Sequence, residues 1–212
     1  FKNVADRIFT IGDVPEGDPT EYLGVDLGRR NIAADSDGEM FCGAHNASLR
    51  SRHARLRRNL QRKGTKSAKR LLRRRRLKEA RFATDVNHRI SKAIVRQAKG
   101  TGRGIGMEDL THIRARTTVK RSQRRAHHSW AFAQLRSFVG YKAALEGVPL
   151  VCVDPRYTSQ ACPECGCIDR RNRPTRDRFA CISCGFSAPA DTTASRIIAV
   201  RAARHAAERR AA

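Results

Sequence analysis

With 212 residues the chain can bury one main core and a small appended module, which excludes a large multidomain architecture. Lys and Arg outnumber Asp and Glu by 44 to 20, giving a net charge of +24 and a pI near 11.2, so the expected partner is a polyanion, with nucleic acid ahead of a membrane surface. No stretch reaches the ~18 apolar residues of a transmembrane helix, and Phe1 to Gly12 lack the charged start, apolar run and small-residue cleavage site of a secretory signal. A soluble protein of the cytoplasm or nucleoid is expected. The chain begins at Phe1 without an initiator methionine, so a fragment or trimmed product is expected too.

In chain order, Tyr22 to Gly28, Asn31 to Ala34 and Met40 to Cys42 read as short strands joined by tight turns, a hairpin signal. From Leu49 to Lys99 the period becomes helical. Leu49, His53, Leu56 and Leu60 form one stripe and Phe82, Val86, Ile90 and Ala93 another, with a break at Lys63-Gly64-Thr65. Residues 50 to 81 hold sixteen Lys or Arg against the single acid Glu79, a stretch that repels itself unless an anion lies alongside.

The glycines at 100, 102, 104 and 106 do not join a strand to a helix, so they are read as a loop entering a strand, Gly104 to Leu110, and not as a phosphate loop. Arg114 to Arg125 is polar, basic and expected to be mobile. Ala131, Leu135, Phe138, Tyr141 and Leu145 predict an amphipathic helix, closed by Gly147 and followed by a buried strand, Val148 to Val153. An Ala-rich helix over Asp191 to Arg210 completes an α/β arrangement.

Cys162, Cys165, Cys181 and Cys184 have the C-x2-C-x15-C-x2-C spacing of a zinc ribbon over about 157 to 187. Four thiolates close a tetrahedron and leave no open position, so a zinc there is structural. Two disulfides are the alternative, and Cys167 is a possible substitute ligand. Cys42 and Cys152, among apolar neighbours, are read as ordinary buried thiols.

The reaction centre is then sought among acids. Asp26 in the middle of the first strand, Glu108 at the end of a later one and Asp191 at the start of the last helix are candidates to hold Mg²⁺, because an ionised carboxylate in a sheet needs a partner and Mg²⁺ takes oxygen ligands. Two such ions about 4 Å apart can drive phosphodiester cleavage. Each acid also has a plain reading: a strand-end acid, an ion-pair partner and a helix cap. Asp109 faces away from Glu108, and His127, His128 and Trp130 have no partners at catalytic spacing.

Several blocks together resemble the TnpB proteins of bacterial and archaeal insertion sequences, relatives of the type V CRISPR effector nucleases. Gly24-Val-Asp-Leu-Gly28 with Asn31-Ile-Ala resembles the first RuvC motif, and Gly106-Met-Glu-Asp-Leu110 the second. Tyr141-Lys, Gly147-Val-Pro and Val153-Asp-Pro-Arg-Tyr-Thr-Ser-Gln160 resemble the approach to the ribbon, and Asp191-Thr-Thr-Ala-Ser195 the third RuvC motif.

The resemblance implies an RNase H-like (RuvC) mixed sheet with helices and an inserted four-cysteine zinc ribbon. Its parts are an N-terminal remnant at 1–20, the RuvC-like domain at 21–156 with an Arg-rich helical insertion at about 49–100, the ribbon at 157–187, and the last motif and helix at 188–212. It implies a Mg²⁺-dependent DNA endonuclease with catalytic Asp26, Glu108 and Asp191, one metal on Asp26 and Asp191 and a second shared with Glu108. A transposon-derived guide RNA gives specificity by base pairing, and a separate transposase is a possible partner. The nucleic-acid backbone would lie along Arg55, Arg57, Arg58, Arg62, Lys63, Lys66, Lys69, Arg70, Arg73 and Arg74.

Two departures stand out: Thr193 and Ser195 replace the expected asparagine and alanine of the third motif, and the wedge and recognition modules expected before the first motif have only residues 1–20 in their place. A nucleic-acid-binding remnant without catalysis is therefore the alternative reading. A strand-joining transposase is weaker, because no tyrosine or serine nucleophile motif is evident.

Overall fold

The structure, a computed structural model, describes residues 20–28, 30–110 and 132–211. Five strands form a mixed sheet in the order β3-β2-β1-β4-β5: β1 (Tyr22–Asp26), β2 (Asn31–Asp35), β3 (Met40–Cys42), β4 (Gly104–Glu108) and β5 (Leu150–Val153). β1, β2 and β3 pair antiparallel, whereas β1 with β4 and β4 with β5 are parallel. Parallel neighbours need long crossovers. The first crossover carries α1 (Ala44–Lys63) and α2 (Lys66–Gly100), and α3 (Phe132–Leu145) precedes β5. The helix break at Gly64 is a left-handed helix cap, φ 65°, whose amide reaches Leu60 O; the Thr65 hydroxyl then accepts from the Ala68 amide at 3.2 Å to start α2.

Helices cover both faces of the sheet. Leu23, Val25, Ile105 and Met107 point to one side, where they pack with Ile90, Ile94 and Val95 of α2 and with Leu135 and Val139 of α3. The other side holds Tyr22, Val153 and the last helix, α4 (Ala190–Ala211), through Ile198, Ala202 and Ala206. A strand buried on both faces has no polar side, which is why β1 reads as a continuous apolar run ending in an acid.

Between β5 and α4 the chain forms the ribbon, with a two-stranded sheet of β6 (Arg178–Ala180) and β7 (Ser187–Pro189). Its small core is Phe179, Cys162, Cys181 and Ala190, with Phe186 alongside.

Several expectations need correction. Asp26 is the last residue of β1 and not its middle. Cys42 ends the edge strand β3 and is exposed, because only one neighbour covers it. In α3 the buried stripe is Leu135, Val139 and Ala143; Leu145 is 79% exposed, since the helix turns its i, i+4, i+8 row to the sheet. The strand expected from Val148 begins at Leu150, and α1 begins at Ala44, before Leu49. Arg114 to Arg125, His127, His128, Trp130 and residues 1–19 lie outside the described residues.

Candidate active site

The three candidate acids lie on neighbouring elements because two strands repeat one pattern. Gly24-Val-Asp26 and Gly106-Met-Glu108 lie side by side in parallel, with Gly24 opposite Gly106 and Val25 opposite Met107. Alternation puts Gly24 and Asp26 on one face, and Gly106 and Glu108 on that same face. Helix α4 rests directly on the glycines. A Cβ on Gly24 would lie 1.8 Å from Ser195 O, and one on Gly106 would lie 2.7 Å from the Ala202 Cβ. One helical turn before Ser195 stands Asp191, in the first turn of α4. The acids two residues beyond each glycine thus emerge where the helix begins.

Their electrostatics reflect this gathering. Burial, followed by the charges of Glu108 and Asp191, pushes the Asp26 carboxyl up to about 7, against the pull of Arg173. Burial also raises Glu108, offset by a hydrogen bond from the Thr158 hydroxyl and by the charge of Arg201. Asn31 Nδ2 donates to Asp191 Oδ2 at 2.9 Å, and Arg173 from the ribbon stands 3.7 Å from Asp191 Oδ1. A buried carboxyl raised by two acidic neighbours, with Arg173 and Arg201 in partial balance, has the oxygen-rich surroundings that suit a hard divalent cation. The acids are more open than a closed ligand set: among the described residues only the cysteine quartet has its ligand atoms all within 4.8 Å of one another. Asp109 turns away and pairs with Arg136 of α3 at 2.8 Å, as alternation requires.

The departures in the third motif are accommodated. Ser195 is fully buried and donates to the Asp191 and Thr192 carbonyls, and its small side chain suits the contact with Gly24. Thr193 donates to Pro189 O at 3.0 Å, and the amide beside Asp191 comes from Asn31 instead. Asn31, Thr158 and Arg173 were missed as site residues in the sequence. Asn31 and Thr158 fall inside the blocks that carry the resemblance, but nothing separates Arg173 from the chain's other cations.

The ribbon thiols converge as the spacing predicts. Cys162 Sγ lies 3.6 Å from Cys184 Sγ and Cys165 Sγ lies 3.5 Å from Cys181 Sγ. With metal–sulfur bonds of about 2.3 Å a tetrahedron has edges of roughly 3.8 Å, so the quartet fits a metal ion such as zinc with little movement. The Cys184 amide above all pulls the Cys181 thiol down, whereas burial and the neighbouring thiols push Cys184 up, as expected of four sulfurs crowded together without a cation. Cys167 lies outside the quartet and contributes its carbonyl to the Cys162 amide.

Arg55, Arg57, Arg58, Arg62, Lys63, Lys66, Lys69, Arg70, Arg73 and Arg74 are all exposed on α1 and α2. The two helices enclose a cleft of about 430 Å³ lined by His53, Arg57, Gln61, Leu72, Arg73, Arg75 and Arg76. Among the described residues no helix is long and apolar enough to cross a membrane.

Residues 10–112 match the family described as "Probable transposase" (OrfB of IS605), and residues 132–198 match "Cas12f1-like, TNB domain". A CRISPR-associated endodeoxyribonuclease Cas12f1 of Sulfoacidibacillus thermotolerans is 42% identical over 58% of this chain and 28% of its own length. A TnpB-like protein of Methanocaldococcus jannaschii is 40% identical over 42% of this chain and 33% of its own. A putative RNA-guided DNA endonuclease, InsQ, of Escherichia coli is 28% identical over 83% and 48%. The matches thus span no more than about half the length of these relatives. Among solved structures, a Cas12f1–sgRNA–target DNA complex contains the same fold, with a TM-score of 0.68 over 89% of this chain and 51% of that one, at 20% identity.

Proposed function

The chain is a relative of the TnpB-like and Cas12f proteins, and on that footing we propose that it is the RuvC-like, RNase H-type nuclease portion of an RNA-guided DNA endonuclease. The RuvC-like domain spans 21–156 with a basic helical insertion at 49–100, the ribbon spans 157–187 and the last motif 188–212. Asp26, Glu108 and Asp191 hold Mg²⁺, Cys162, Cys165, Cys181 and Cys184 hold a structural zinc, and the basic faces of α1 and α2 bind nucleic-acid backbone. The observation that carries this reading is the Asp26 carboxyl at the end of β1, pushed to about 7 by burial and by the charges of Glu108 at the end of β4 and Asp191 at the start of α4.

Bound Mg²⁺ supplies a Lewis acid for the scissile phosphate and a water acidic enough to attack it. The chain's residues prepare that chemistry. Asp26, raised first by burial and then by Glu108 and Asp191, would be held ionised by a cation there. Asn31 fixes one oxygen of Asp191 and leaves the other toward Arg173. Thr158 orients Glu108. The guanidinium of Arg173, delivered by the ribbon, is available to an anionic phosphate that enters beside Asp191.

One observation favours a second reading, a nucleic-acid-binding chain without catalysis: the acid oxygens are more widely spread than the ribbon thiols. Cleavage of labelled single-stranded DNA by the zinc-loaded chain separates the two. Mg²⁺ or Mn²⁺ should be withheld as the control in place of a chelator, which would also strip the ribbon. Cutting only with the added metal supports the nuclease; none from a folded, zinc-loaded chain supports the binding reading.

A further inference from the structure

Tyr157 has a left-handed backbone, φ 60°, in the turn between β5 and the ribbon, and is the one non-glycine residue with positive φ among those described. An aromatic residue there costs on the order of 1 kcal/mol relative to glycine. The turn itself has a use: the Tyr157 carbonyl accepts the amides of Gln160 at 2.9 Å and Ala161 at 3.0 Å, and the next residue, Thr158, is buried and donates to Glu108. Glycine or asparagine would make the same turn at lower cost. What tyrosine adds is a ring; the residue is 58% exposed and belongs to none of the three hydrophobic cores of the described residues. The strain therefore maintains an aromatic surface that lies outside the hydrophobic cores of the described residues.

Its surroundings carry two guanidiniums and one acid, Asp154, which stands 3.8 Å from the Arg156 guanidinium. Arg156 precedes it and is exposed, and Arg201 of α4 donates to the carbonyls of Asp154 and Arg156 at 2.8 and 2.6 Å, which brings a second guanidinium to the turn. An exposed ring bordered by guanidiniums is the chemistry that holds an unpaired base and its phosphate, because every base has a π-face and every nucleotide an anion. A base pair inside a duplex offers no such face.

We propose that Tyr157 is a stacking platform for an unpaired base of single-stranded nucleic acid, one residue from the Glu108 contact. The proposal builds on the functional reading above only in taking the acids as the reaction centre; base stacking needs no divalent metal. The ring grips one nucleotide, Arg156 and Arg201 face its backbone, and the strand is registered against the acids.

The test uses the zinc-loaded chain without added divalent metal, a dT oligonucleotide carrying one 2-aminopurine, and a duplex of equal length. Affinity is read by anisotropy and stacking by quenching of the 2-aminopurine. Tyr157→Gly, which removes the ring and relieves the backbone, should weaken single-strand binding about tenfold, abolish the quenching, leave duplex affinity unchanged and melt no lower than wild type. Tyr157→Phe should match wild type. Tyr157→Asn repeats the comparison should the glycine variant melt early. Wild-type single-strand affinity in both ring-less variants, equal loss for single strand and duplex, or a phenylalanine variant that behaves like glycine would each overturn the proposal. A chain that shows the difference but never cuts DNA supports the platform and counts against the nuclease.

Discussion

Asn31 and Asp191, 160 positions apart in sequence, are joined by a 2.9 Å hydrogen bond that ties β2 to the first turn of α4. A carboxylate at a helix start is free to rotate toward solvent, and this amide fixes one oxygen and leaves the other toward Arg173. Positioning bonds of this kind are worth about 10–100-fold in metal affinity or activity. Asn31→Ala should therefore lose about that much Mg²⁺-dependent cleavage while the folded chain keeps its zinc, and Thr193→Ala, whose side chain bonds Pro189 O, should lose far less. The two variants are compared by cleavage rate across a Mn²⁺ titration.

The second prediction concerns the glycines under α4. Gly24→Ala brings a methyl within 1.8 Å of Ser195 O, a backbone atom that moves only if the helix does. Overpacking of this kind costs about 1–3 kcal/mol or more. Gly24→Ala should stand at the upper end and lower the denaturation midpoint clearly, and Gly106→Ala, facing the Ala202 methyl at 2.7 Å, should do so less. Urea denaturation of the zinc-loaded variants measures both.

The third concerns pH. In the folded, metal-free chain Asp26 has a pKa of about 7 against 3.8 ordinarily, so between those values the native state binds more protons than the unfolded one. Stability from this group is greatest at low pH and falls as pH rises toward about 7, after which it is level, with a total change of at most about 4 kcal/mol. Glu108, also raised, acts in the same direction. Denaturation between pH 6 and 8 should show the decline in wild type and a flatter profile in Asp26→Asn, with Asp26→Asn the more stable at pH 8. At limiting Mn²⁺, cleavage should rise as pH passes about 7, because the cation binds the ionised carboxylate.

Much of this was legible in the sequence, for particular physical reasons. The cysteine quartet was legible because four ligands in two close pairs leave one geometry, and the α1–α2 break because Gly64-Thr65 pairs a left-handed cap with an N-cap. Asp26, Glu108 and Asp191 were legible as isolated acids in apolar contexts. Their meeting depends on the parallel register of Gly24 with Gly106, a long-range pairing that no local pattern encodes. Cys42 looked buried from its apolar neighbours, but burial at an edge strand is decided by what lies beside it. Arg173 could not be singled out at all, since its place depends on how the ribbon folds back over α4.

That fold-back gives the fourth prediction. Arg173 reaches Asp191 only from a folded ribbon, and the ribbon is also held by an ion pair between Arg30 and Asp177 and by the Ala190 amide on Asp177 O. Loss of the metal, or Cys181→Ser, should expose the Phe179 core, worth about 3–5 kcal/mol of local packing, and leave the five-stranded sheet folded. Zinc release and dye binding should then rise together while far-UV helicity from α2 and α4 persists. Arg173→Ala, with zinc retained, should raise the pH at which cleavage begins, because Arg173 lowers Asp26.

The central claim is that Asp26, Glu108 and Asp191 form one divalent-metal site. Calorimetric titration of the zinc-loaded chain with Mn²⁺, beside Asp26→Asn, Glu108→Gln and Asp191→Asn, tests it most directly. Saturable binding in the wild type, weakened by each substitution while zinc content and melting temperature hold, is the predicted result. Binding that persists unchanged in any of the three, or is absent from the folded wild type, would contradict the claim.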